Sequence, residues 1–182
     1  MNLPNILTWL RIVAIPLLVV VYLLPVPWAG PAAALLFLLA AVTDALDGYL
    51  ARRLNQQSRF GAFLDPVADK LIVATALVLL VHAHEDIALT LSAIIIVGRE
   101  IVISALREWM AEVGARAAVA VSSLGKVKTI AQMVAIIGLL YGQSLWGLPV
   151  FDIGYALLIL AALLTVVSAA LYLRAAAHAL RG

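Results

Sequence analysis

Residues 29–50 read Ala29-Gly-Pro-Ala-Ala-Ala-Leu-Leu-Phe-Leu-Leu-Ala-Ala-Val-Thr-Asp44-Ala-Leu-Asp47-Gly48-Tyr-Leu50. The run is long enough to cross a bilayer, for which about 20 apolar residues suffice, yet it ends in two acids. An ionisable group at mid-bilayer costs about 2.5 to 3.5 kcal/mol on insertion scales, so acids closing such a run call for a chemical reason. Five further apolar runs resemble it: Leu7 to Leu24, Ala62 to Val81, Ile87 to Met110, Val121 to Tyr141 and Ile153 to Ala177. Turn residues separate them, with Pro25, Pro27 and Gly30 after the first and Gly142, Gly147 and Pro149 before the last. Pro16 is expected to kink the first helix.

The whole composition agrees. Hydrophobic residues make up 65% and charged ones 12%, against roughly half and a quarter in soluble domains. Mean hydropathy is +1.12. The expected fold is an all-α integral membrane protein of six transmembrane helices, with residues 1–182 forming one polytopic catalytic domain and no room for a separate soluble one. The absence of Cys removes disulfides, thiolate metal sites and thiol nucleophiles. A net charge of +2 without any basic block argues against nucleic acid as a partner. No internal repeat supports an inverted-repeat transporter, and no N-terminal signal peptide is expected, because Arg11 lies inside the first run.

The basic residues sort by side. Arg52, Arg53 and Arg59 fall between the second and third runs, Arg116 and Lys126 between the fourth and fifth, and Arg174 and Arg181 at the C-terminus. The connections near Val26, His84 and Trp146 carry none. The positive-inside rule then puts both termini and the loops around Arg52 and Arg116 in the cytoplasm. Trp9, Trp28, Trp109 and Trp146 lie near run ends, where interfacial aromatics belong.

Asp44 and Asp47 are followed by Asp65 and Asp69, so four of the ten acids sit in one stretch. Spacings of three and four put each pair on one helix face, and the pairs converge across the intervening loop. Four carboxylates repel one another unless cations compensate them. All-oxygen donors suit Mg²⁺ or Mn²⁺, and two ions sharing such ligands form a clamp for phosphoryl displacement. Gly48, Ala51 and Gly61 let a planar base or a diphosphate approach the backbone, or simply allow close helix packing. Arg52 is either part of that site or a topological anchor. His82, His84, Glu85 and Asp86 imitate a metal set but read as a solvated outer loop.

The stretch fits DxxDGxxAR(x8)GxxxDxxxD at every fixed position. It resembles the CDP-alcohol phosphotransferase family of membrane enzymes. Arg99-Glu100, Arg107-Glu108-Trp109-Met110-Ala111-Glu112, Gly125-Lys126-Val127-Lys128-Thr129 and the opening Asn2-Leu-Pro4-Asn5-Ile-Leu-Thr8-Trp-Leu-Arg11 resemble a bacterial branch of it. The resemblance implies a six-helix homodimer in the bacterial cytoplasmic (inner) membrane, surrounded by membrane lipids, with its active site on the cytoplasmic side. It implies Asp44, Asp47 and Asp65 as metal ligands and Asp69 as both ligand and general base. Gly48, Ala51, Arg52 and Gly61 would line the CDP site. The branch reaction joins the phosphatidyl group of CDP-diacylglycerol to sn-glycerol 3-phosphate and releases CMP; inositol phosphate, serine or a phosphatidyl lipid are the alternative acceptors.

Neither His nor Ser occurs in the motif, which favours direct in-line displacement over a covalent intermediate. A dianionic acceptor needs cations, and Arg107, Arg116, Lys126 and Lys128 surround one connection, where anchoring is the competing explanation. Arg99 lies within the fourth run, next to Glu100, which would neutralise it. Asn5, Thr8 and Arg11 either contact nucleotide or phosphate, or cap and anchor the first helix. A cation transporter would share the acids but not the Gly-Ala-Arg pattern between them, and a scaffold would tolerate their loss.

Overall fold

The computed structural model describes residues 3–54, 59–114 and 123–179, and among these the side chains of 7–44, 64–114 and 128–177. Six helices follow in order: α1 Leu3–Tyr22, α2 Ala29–Leu54, α3 Arg59–His84, α4 Ile87–Glu112, α5 Ser123–Tyr141 and α6 Val150–Ala179. They match the six apolar runs, and no strand occurs among the described residues. Pro16 sits within α1 and Pro66 within α3 without ending either helix.

The packing closes a ring: α1 on α2, α2 on α5, α5 on α6, α6 on α4, α4 on α3, and α3 on α1. Successive helices run up and down. One end therefore collects the start of α1, the end of α2, the start of α3, the end of α4, the start of α5 and the end of α6. Ion pairs and hydrogen bonds described below join these segments. At the opposite end the connections turn sharply, with Gly142 and Gly147 at φ of 66° and 81°, where a Cβ would be strained. Gly154 brings α6 against α5: a Cβ there would meet the carbonyl oxygen of Ala135 at 2.9 Å and the Leu139 nitrogen at 3.0 Å.

The main core lies towards this turning end and contains Leu18, Phe37, Leu77, Leu80, Leu89 and Leu139, all fully buried. A smaller cluster of Ile103, Met110, Tyr172 and Ala176 joins α4 to α6 near the other end. Large apolar side chains also face outward on every helix. Val13, Leu35, Val78, Ile94, Ile130 and Leu163 are each more than half exposed, an arrangement that suits lipid rather than water.

Among the described residues two helices are by themselves long and apolar enough to cross a membrane: α4, and α6 through Ala177, with mean hydropathies of 2.0 and 2.5. In α1, α2 and α5 the apolar stretches are shorter, covering Leu7–Tyr22, Ala29–Asp44 and Lys128–Tyr141. The physical reason is visible in the sequence. Asp44 closes the apolar part of α2, Lys128 opens that of α5, and Asp65, Asp69 and Lys70 occupy the first half of α3.

Asp86 caps α4, accepting the Leu89 N–H at 2.7 Å and the Tyr155 hydroxyl at 2.8 Å. The His84 ring lies against Phe151, with centroids 4.9 Å apart. These contacts give Asp86 and His84 structural roles at the start of α4 and α6.

Candidate functional site

Both acid pairs lie on regular helix, Asp44 and Asp47 on α2 and Asp65 and Asp69 on α3. The described carboxylates face a polar stripe on α1. Arg11, only 1% exposed, places Nη1 2.8 Å from Asp44 Oδ1. Thr8, one turn earlier, donates its hydroxyl to Asp65 Oδ1. The spacing of three explains how one helix face serves both neighbours. Asp44 lies within electrostatic reach of Asp65, and Asp69 within reach of Asp44, Arg11, Glu100 and Lys70. Three acids from two helices thus share one field, tempered by Arg11.

Beyond Asp69 opens a cavity of about 130 Å³, lined by Asp69, Lys70, Val73, Arg99, Glu100, Arg107, Thr129, Gln132 and Met133. That measure of volume corresponds to room for on the order of ten water positions. Its charged lining comes from α3 and α4. Glu100 Oε1 receives both Arg99 Nη1 at 2.7 Å and Lys128 Nζ at 3.0 Å. Lys128 is 1% exposed, so its ammonium is held within the bundle by the Glu100 carboxylate. From α6, Ser168 Oγ accepts a long 3.4 Å bond from Arg99 Nη2, and the Tyr172 hydroxyl accepts from Arg107 Nη2 at 3.0 Å. The Tyr172 ring also lies under both guanidinium groups, 5.9 Å from that of Arg99 and 5.1 Å from that of Arg107, a cation–π arrangement. Eight residues separate the two arginines, a little over two turns, which returns them to one face of α4.

The structure thus brings Thr8, Asp44, Asp65, Asp69, Arg107 and Lys128 to one end of the ring. The side chains of Asn5, Asp47, Gly48, Ala51, Arg52, Gly61 and Lys126, and all of Arg116, lie outside the described residues. Glu100 neutralises Arg99 as its position predicts, but it also bridges to α5. Lys70, which donates to Ser104 on α4, was not singled out by sequence reasoning; neither were Gln132, Ser168 and Tyr172. For Gln132 the available signal was its place one helical turn after Lys128.

Residues 1–167 match the CDP-alcohol phosphatidyltransferase family. The chain belongs to that family. As a CDP-alcohol phosphatidyltransferase it is a transferase and a membrane protein. Relatives from Escherichia coli (strain K12) and Shigella flexneri serotype 5b (strain 8401) are each 55% identical over 175 residues, covering 96% of this chain and 94% of theirs. Both are named CDP-diacylglycerol–glycerol-3-phosphate 3-phosphatidyltransferase.

CDP-alcohol phosphatidyltransferases generally depend on a divalent metal. The donor chemistry here fits one: Asp44 and Asp65 present hard oxygens from adjoining helices, beside a third carboxylate at Asp69. Among the described residues no three acidic or imidazole side chains converge on a single point. The position that would complete the set, Asp47, is one whose side chain is not described.

Proposed function

We propose that this chain transfers the phosphatidyl group of CDP-diacylglycerol to sn-glycerol 3-phosphate, giving phosphatidylglycerophosphate and CMP. The observation that carries this reading is the cavity in which Asp69 stands on one wall and Arg99 and Arg107 on another. An alcohol must lose a proton to attack, and a phosphate dianion must be held by cations. One cavity supplies both requirements. The relatives named for this reaction extend over nearly the whole chain.

In this reading Asp44, Asp47, Asp65 and Asp69 hold two Mg²⁺ ions, with Mn²⁺ able to replace them. Bound there, the ions would neutralise charge on the diphosphate. Arg11 and Thr8 orient Asp44 and Asp65. Gly48, Ala51, Arg52 and Gly61, with Asn5 and Thr8, receive the CDP moiety. Arg107, Lys128, Lys126 and Arg116 supply charge for the acceptor phosphate, and Arg99 adds to it from the cavity wall that it shares with Arg107. Asp69 takes the proton of the attacking hydroxyl as its oxygen bonds to the phosphorus that carries diacylglycerol. The bond from that phosphorus to the bridging oxygen breaks in line, and CMP leaves with the oxygen. The whole chain acts as one six-span domain in the bacterial inner membrane, with termini and site cytoplasmic, and as a homodimer.

The test is CMP release by purified protein given CDP-diacylglycerol and, in turn, sn-glycerol 3-phosphate, inositol phosphate and serine. Release with glycerol 3-phosphate and Mg²⁺ is expected. Full turnover in excess chelator would refute the metal assignment, and release with serine or inositol phosphate alone would refute the acceptor. For orientation, reporters near Asn55 and His84 should report opposite sides.

A further inference from the structure

The wall of the cavity is not uniformly charged. Among Asp69, Lys70, Arg99, Glu100 and Arg107 stands one neutral hydrogen-bonding amide, that of Gln132. Gln132 follows Lys128 by one turn on α5, so the two share a helix face. It is 3% exposed. Its Oε1 is buried without a hydrogen-bond partner among the described residues, and so are the Nε groups of Arg99 and Arg107. Buried polar atoms are nearly always satisfied, and an orphan of this kind asks what would satisfy it.

The three orphans differ in chemistry. The guanidinium Nε–H groups are donors only, on cations, and match phosphate oxygens. A carboxamide is uncharged and both gives and accepts hydrogen bonds, as a hydroxyl does. A ligand satisfying all three carries a phosphate and a hydroxyl. A third group, the reacting alcohol, belongs at Asp69.

We infer that Gln132 recognises the acceptor hydroxyl that does not react, the one on C2 of sn-glycerol 3-phosphate, and is therefore a specificity-determining residue. This rests on the acceptor reading above and deepens it. Cations alone would hold any phosphorylated alcohol. A neutral amide left buried and unsatisfied penalises an acceptor that lacks the middle hydroxyl, which is how a site built for a hydroxyl rejects its deoxy analogue.

The experiment compares kcat/KM for sn-glycerol 3-phosphate and for 3-hydroxypropyl phosphate, which keeps the phosphate and the reacting alcohol but lacks the C2 hydroxyl. Wild type should prefer glycerol 3-phosphate by about tenfold to hundredfold. In Gln132→Met, similar in length but apolar, that preference should fall towards one, while KM for CDP-diacylglycerol stays unchanged. Gln132→Glu keeps an oxygen able to accept from the hydroxyl, so it should retain the preference while charge repulsion weakens both acceptors. A merely structural role would lower both acceptors together in Gln132→Met and leave their ratio at the wild-type value, and that result overturns the inference. Equal use of the two acceptors by wild type overturns it as well. Failure of wild type to release CMP with either acceptor would instead remove the acceptor reading, and this inference with it.

Discussion

The two ends of the helical ring are built from opposite materials. Where α2, α4 and α6 begin, the interior is Leu18, Leu77, Leu80, Leu89 and Leu139, and Gly154 lets backbones touch. Where α1, α3 and α5 begin, the bundle buries Arg11, Lys128, Gln132 and Ser168. Lipid tails are as apolar as leucine, so membrane helices associate through packing rather than through escape from water. The tightly packed end can then supply cohesion, while the other end carries mutually repelling acids and buried cations. The two ends divide the labour: substitutions at one should cost stability, and at the other chemistry.

The largest effect should come from Asp69→Asn. Loss of a general base typically lowers turnover by about 10² to 10⁴-fold. The same change removes a negative charge within reach of Asp44 and Glu100, so the folded protein should be no less stable. CMP release and thermal unfolding on the same preparation measure both. Near-normal turnover, or a large drop in stability, would break the division just described.

Glu100→Ala tests its border, because Glu100 belongs to the reactive end yet ties α4 to α5. Its loss strands Lys128, 1% exposed, and Arg99, 11% exposed. Breaking a fully buried pair costs about 3 to 5 kcal/mol. Glu100 is itself 29% exposed, so solvent screening brings the expectation to roughly 2 kcal/mol. Adding Lys128→Met should recover part of it, since the stranded ammonium is then gone. No recovery in that double-mutant cycle would mean that Glu100 stabilises the bundle by some route other than Lys128.

At the packed end, Gly154→Val should destabilise by about 1 to 3 kcal/mol, because the new atoms meet backbone of α5, which cannot step aside as a side chain would. Turnover per folded molecule should stay at the wild-type level. A selective fall in turnover would show that the α5–α6 contact also sets the geometry of the site.

Much of this was legible beforehand. Six apolar runs became six helices, and spacings of three and four put the acid pairs on regular helix. The pairing of Arg11 with Asp44, of Lys70 with Ser104 and of both arginines with Tyr172 was not. Each joins two different helices, and which faces meet depends on the order of helices around the ring. Hydropathy identifies a span without saying which neighbour it touches. Arg99 and Glu100 are adjacent, so their pairing was readable locally; the Lys128 contact to the same oxygen crosses from α5 to α4, which are not packed neighbours in the ring.

The smallest expected effect concerns Asp86, in the short connection before α4, which brings a carboxylate to the packed end. The Leu89 N–H, and then the Tyr155 hydroxyl, hold its carboxyl below the usual carboxylate range. Since the folded value lies below the unfolded one, the stabilisation is complete above the unfolded pKa, about 3.9, and disappears as pH falls through the folded value. Asp86→Asn keeps a capping side chain but cannot titrate. Wild type should therefore melt slightly above Asp86→Asn at neutral pH, and the gap should close in acid. A gap that stayed constant through the acid range would mean that the charge of Asp86 contributes nothing through these bonds. Turnover at neutral pH should match wild type in this variant, because a carboxylate at this end caps a helix and takes no part in the chemistry; a variant that folds but turns over slowly would place a functional carboxylate at the end assigned to cohesion alone.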